Sequence, residues 1–134
     1  MSNGENYWNV SYAKIMWLKS LLETHKNVYS VTRQHDILFD VVRIDESRLK
    51  VLCLDEYALG EAGVHRALQE FPEVHIISVG GNWNGYTPEA KELCLSYKIG
   101  LYNSTELSGA LWKNDYWAFS KKDKDGNPEY PLAN

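Results

Sequence analysis

The stretch KVLCLDEYALG, residues 50–60, sets two carboxylates, Asp55 and Glu56, directly after the apolar run Val51 to Leu54. Carboxylates at the end of a buried strand can hold a divalent cation through hard oxygen ligands. The same pair can equally be a solvated turn. A third acid, Asp40, interrupts the apolar run ILFDVVRI. Together with Asp55 and Glu56 it makes three candidate acids. Asp40 has a plainer alternative, an ion pair with Arg33 or Arg43. Lys50 could supply a cation, but it shares even parity with Leu52 and Leu54 and is expected on the opposite sheet face from Asp55.

The other reactive residue types give weaker patterns. Cys53 and Cys94 lie in apolar contexts with no metal-ligand spacing, which predicts reduced core thiols. His35 beside Asp36 in RQHD reads as a polar patch or a satisfied surface histidine. His65 and His75 have no paired spacing. The loop GGNWNG precedes a helix start, where backbone amides can receive an anion, but it has neither the G-x-G-x-x-G pattern nor a P-loop lysine. Trp83, Trp112 and Trp117, if exposed, would mark a contact surface.

The elements that must position these residues follow from periodicity. SYAKIMWLKSLLETH places Ile15, Leu18 and Leu22 at helical spacing. NVYSVTR, ILFDVVRI and LKVLCL read as three strands with short connections, an antiparallel meander. GEAGVHRALQEFP puts Val64, Ala67, Leu68 and Phe71 on one helical stripe, and Pro72 stops it. VHIISVGG is a short buried strand. YTPEAKELCLSYKIG reads as a helix with Thr87 as N-cap, Pro88 in its first turn and the apolar stripe Ala90, Leu93, Cys94 and Tyr97. GLYN is a brief strand, and Ser104 or Thr105 caps a last helix. The expected order is α-β-β-β-α-β-α-β-α, an α/β fold with a mixed sheet and helices on both faces. Residues 1–113 form the expected domain. Residues 114–134, with Asp-Gly and Asn-Pro turn signals between YWAFS and EYPL, form a tail or hairpin.

From Val28 to Trp112 this order and the stretch HIISVGGNWNGYTPEAKELCLSYKIGLYNSTELSGAL resemble the restriction-endonuclease-like superfamily, in its Mrr-type branch. The resemblance implies a three-layer fold, with an acid at the second strand and an acid-x-lysine motif on the third. Carboxylates of that kind hold Mg²⁺, and the lysine serves the attacking water. Asp40 is the matching second-strand acid. On the third strand the alignment puts Cys53 at the acid and Asp55 at the lysine. A thiol is a poor Mg²⁺ ligand and an aspartate cannot supply the positive charge. The resemblance therefore implies a catalytically degenerate module with no cofactor, acting by binding a protein or nucleic-acid partner. The alternative that the resemblance leaves is a Mg²⁺-dependent nuclease with a migrated site, its candidate catalytic residues Asp40, Asp55 and Glu56, with Asp40 and Asp55 as the metal ligands if the site is active.

Composition bounds both readings. The 134 residues are 44% hydrophobic and 24% charged, an ordinary globular balance for one domain. No apolar run reaches membrane-span length, and the start MSNGENYWNV lacks the pattern of a signal peptide, so a cytoplasmic location is expected. The net charge of −4 disfavours a bulk electrostatic grip on nucleic acid. Any such contact would come from local cations: Arg33, Arg43 and Arg48 around the first hairpin, with Lys113, Lys121 and Lys122. A small-molecule substrate is not expected.

Overall fold

A computed structural model describes residues 6–122 and 124–129. Helix α1 (Tyr12–Thr24) starts where the Ser11 hydroxyl accepts the Lys14 amide, and it buries Ile15, Leu18 and Leu22. Three strands follow: β1 (Val28–Arg33), β2 (Leu38–Arg43) and β3 (Arg48–Cys53), paired antiparallel as the short connections predict. Strand β4 (Ala58–Leu59) leads into α2 (Glu61–Glu70). Then come β5 (Ile76–Ser78), β6 (Gly85–Tyr86), α3 (Pro88–Ser96), β7 (Gly100–Tyr102) and α4 (Ser104–Ala110). A hairpin of β8 (Lys121–Lys122) and β9 (Pro128–Glu129) closes the described chain.

The main sheet has the order β1-β2-β3-β5-β7, antiparallel through β3 and parallel from β3 to β7. This is the expected α/β fold with a mixed sheet. Register assigns its faces. Phe39, Val41, Val51 and Cys53 share one face, and Cys53 Sγ reaches the Lys14 carbonyl of α1 at 4.0 Å. Asp40, Lys50 and Leu52 share the other, where Leu38 lines a cleft with Phe71 and Val74 at the end of α2. Hydrogen bonds from His25 and Asn27 to the carbonyls of Ser108 and Leu111 hold α4 against the end of α1. The parallel pair β4-β6 was not foreseen, because two residues per strand leave no period to read. No helix among the described residues is long and apolar enough to cross a membrane.

Two local expectations fail. In α3 the buried residues are Ala90, Lys91 and Cys94, while Leu93 is half-buried and Tyr97 is 56% exposed. The stripe is turned toward Lys91, whose aliphatic stem buries and whose ammonium donates to the Leu101 carbonyl of β7 at 3.0 Å. A lysine reads as solvent-facing in any apolar pattern, so the sequence points to the wrong flank. In α4 the cap is Asn103, not Ser104 or Thr105. Asn103 and Glu106 exchange side-chain-to-amide hydrogen bonds in a capping box. The tail from 114 is tied in: Tyr116 and Phe119 pack on the core, and the Tyr102 hydroxyl donates to the Tyr116 carbonyl. Of the expected EYPL strand, only Glu129 lies among the described residues.

Candidate functional site

The sheet separates the residues that the sequence would bring together. Asp40 lies directly across from Lys50, and their side chains form an ion pair at 2.7 Å, both about three-tenths exposed. Lys50, not Arg33 or Arg43, is thus the partner of Asp40. Side chains alternate along a strand, so Asp40 and Cys53 point to opposite faces. Asp55 lies five positions beyond Lys50, on the order of 15 Å along the strand direction. Its carboxylate accepts the Asn84 side-chain amide at 2.8 Å. The structure therefore does not assemble a metal pair from Asp40 and Asp55. Glu56 is half-buried, and its backbone amide is tied to the Val79 carbonyl.

A different acid lies near the end of β3. Asp36, in the bend before β2, is 9% exposed. The Cys53 amide donates to the neighbouring Ile37 carbonyl at 2.8 Å, which sets Asp36 beside the end of β3. Its carboxylate accepts the Asn6 amide at 2.7 Å and lies 3.6 Å from the Arg33 guanidinium. Burial, followed by the charges of Asp55 and Asp36, pushes the Cys53 thiol up to about 12; the Lys14 ammonium opposes them. At the end of β3 the charges of Asp36, Asp55 and Lys14 thus act on a buried, protonated thiol. The sequence signal for Asp36 was its position just before the apolar run of the second strand.

Mg²⁺, the ion implied by the resemblance, does not fit this donor set. It requires oxygen ligands in near-octahedral array. Here the central position is a thiol held neutral by its surroundings, and each flanking carboxylate is already engaged by side-chain amide or guanidinium donors. Among the described residues, no three His, Cys, Asp or Glu side chains form a metal-holding group.

The loop from Gly80 to Asn84 is fastened beside Asp55. Gly80 has φ +121°, and a Cβ there would strike the Asn84 amide, so glycine is required. Asn84 donates to both Asp55 and the Val79 carbonyl, each at 2.8 Å. The Asn82 side-chain carbonyl accepts hydroxyls from Ser104 and Thr105 at the start of α4. These polar residues read as turn formers in the sequence; their cross-links depend on the fold.

The expected basic contacts are largely structural. Arg43 is 4% exposed and donates to Ser47 Oγ at 2.7 Å and to the carbonyls of Leu111 and Lys113 at 3.3 and 2.6 Å. It is a buried clamp rather than a phosphate contact. Arg33 faces Asp36 and stacks over Tyr12, its carbon 5.7 Å from the ring centre. Arg48 is exposed at the rim of an open groove of about 630 Å³ that Tyr29 and Val42 also line. Lys113, Lys121 and Lys122 are exposed. The histidines supply no site either. His75 Nδ1 accepts the Lys50 backbone amide at 2.8 Å, and burial followed by the Lys50 charge lowers its pKa. His35 and His65 are exposed.

Comparison with protein-family models, with curated proteins and with solved structures returned no match.

Proposed function

We propose that this chain is a restriction-endonuclease-like module that has lost its metal chemistry and works by binding a partner protein. The sheet order and the antiparallel-then-parallel pairing are compatible with that fold. The observation that carries the functional reading is Cys53. At the position where the family places a metal-binding acid, this chain has a buried thiol with a pKa near 12, flanked by two carboxylates already held by other side chains. The lysine of the third strand, Lys50, is spent on Asp40 across the sheet. Charge favours protein over nucleic acid as the partner. The chain carries a net charge of −4, Arg43 is buried, and Arg33 is engaged with Asp36.

The test is incubation of the purified protein with duplex and single-stranded DNA in Mg²⁺ or Mn²⁺. No cleavage above a metal-free control is expected. Robust cleavage that disappears in Asp36→Asn or Asp55→Asn would overturn the reading.

A further inference from the structure

Trp83 is 88% exposed and Tyr57 is 70% exposed, two of the largest apolar surfaces the described chain leaves in water. Neither sits on a loose segment. Trp83 is the tip of the Gly80–Asn84 loop, which Asn84 fastens to Asp55 and Val79 and Asn82 fastens to α4. Tyr57 is joined to the same unit, because its carbonyl accepts the Gly85 amide at 2.9 Å and the next residues pair as β4 and β6. Aromatic rings held out on a cross-braced backbone have little ordering left to lose on binding, the condition for an interface anchor.

The charge carried by the segments that present these rings has one sign. The segments 54–61, 79–87 and 103–107, which carry the rings and brace their loop, contain Asp55, Glu56, Glu61 and Glu106 and no lysine, arginine or histidine. Glu106 is buried in its capping box, but Asp55 and Glu56 are half-buried and Glu61 is exposed. Phosphate groups are repelled by such a rim. Cationic side chains are attracted to it and also to the negative faces of indole and phenol rings. The opposing charges lie outside these segments: Lys91, buried behind Tyr86, Lys121, which acts on Glu106, and Lys14 on α1, which acts on Cys53.

We propose that Trp83 and Tyr57 form the surface that grips a basic segment of the partner protein, with arginine or lysine side chains lying over the two rings. This rests on the binding reading above and specifies its surface and the chemistry of its partner. The experiment is an NMR titration of the whole protein with a hexa-arginine peptide, with hexa-glutamate and a single-stranded oligonucleotide as controls. The Trp83 indole N–H and the Tyr57 amide should shift saturably with hexa-arginine alone. Affinity should fall about tenfold in Trp83→Ala and severalfold in Tyr57→Ala, and should weaken with added salt. Both side chains are exposed, so neither change should disturb folding, which the unshifted resonances of the core would report. Absence of shifts at Trp83 with hexa-arginine, shifts that survive Trp83→Ala, or shifts produced by the oligonucleotide instead would overturn the proposal. Metal-dependent DNA cleavage by the same preparation would overturn the binding reading itself. Absent peptide binding without cleavage would overturn only this surface.

Discussion

Arg43→Ala should destabilise the protein by about 3 kcal/mol, since hydrogen bonds from a charged donor contribute roughly 1.5–3 kcal/mol each and are not additive. The guanidinium closes the end of β2 onto the end of α4: it holds Ser47 in the β2–β3 turn and the carbonyls of Leu111 and Lys113. Leu111 keeps a second donor, Asn27, at 2.8 Å. The Lys113 carbonyl would lose the donor that holds it. Arg43→Lys should recover only part of the loss, because an ammonium cannot reproduce the guanidinium fork that serves Ser47 and the two carbonyls together. Urea unfolding measures both changes. A loss below about 0.5 kcal/mol, in the range of an ordinary surface substitution, would mean that Arg43 is available for a ligand after all.

The second large effect is a pH dependence located at Lys91. This side chain is 2% exposed, with its ammonium 4.2 Å from the Tyr102 ring centre and 5.4 Å from that of Tyr86. Burial lowers its pKa from 10.5 to about 8, against the opposing pull of Glu106 and Cys94. Between those values the unfolded lysine still holds a proton that the folded one has released. Raising the pH through this window therefore favours the folded state, and the penalty for burying the charge is greatest below about 8. From pH 8 to 9 this should add about 1 kcal/mol of stability.

Other groups act in the opposite sense. Burial raises Cys53 and Cys94 from 9.0 to about 12 and raises Tyr102, so each of them ionises first in the unfolded chain. Glu106 is also raised by burial, despite hydrogen bonds from Tyr86 and Asn103, and its effect belongs to the acid range. The informative quantity is thus the stability of wild type minus that of Lys91→Met. It should grow by about 1 kcal/mol from pH 8 to 9. A flat difference would place the Lys91 ammonium in contact with water.

Much of the fold was legible because it depends on local periodicity. Ile15, Leu18 and Leu22 mark α1, and the short polar links between three β-rich runs require antiparallel neighbours. The parallel half followed from helices alternating with strands. What was illegible depends on register and on long polar side chains. One-residue alternation decides that Asp40 meets Lys50 and turns away from Cys53, and a sequence shows parity only within a strand whose ends are known. Asp36 lies in a bend outside the second strand, so no strand pattern could place it beside Cys53. Arg43 and Lys91 are buried by carbonyls distant in sequence, Leu111 and Lys113 for one and Leu101 for the other. Composition treats both as surface charges.

The most direct test of the central claim is a Mg²⁺ titration of the isotopically labelled protein, following the backbone amides of Asp36, Cys53 and Asp55. If the end of β3 is a thiol flanked by engaged carboxylates, these amides should show no saturable shift and should behave alike in wild type and Asp36→Asn. Saturable shifts at all three residues that vanish in Asp36→Asn would show that the end of β3 holds the metal and that the chain has kept the chemistry we assign as lost.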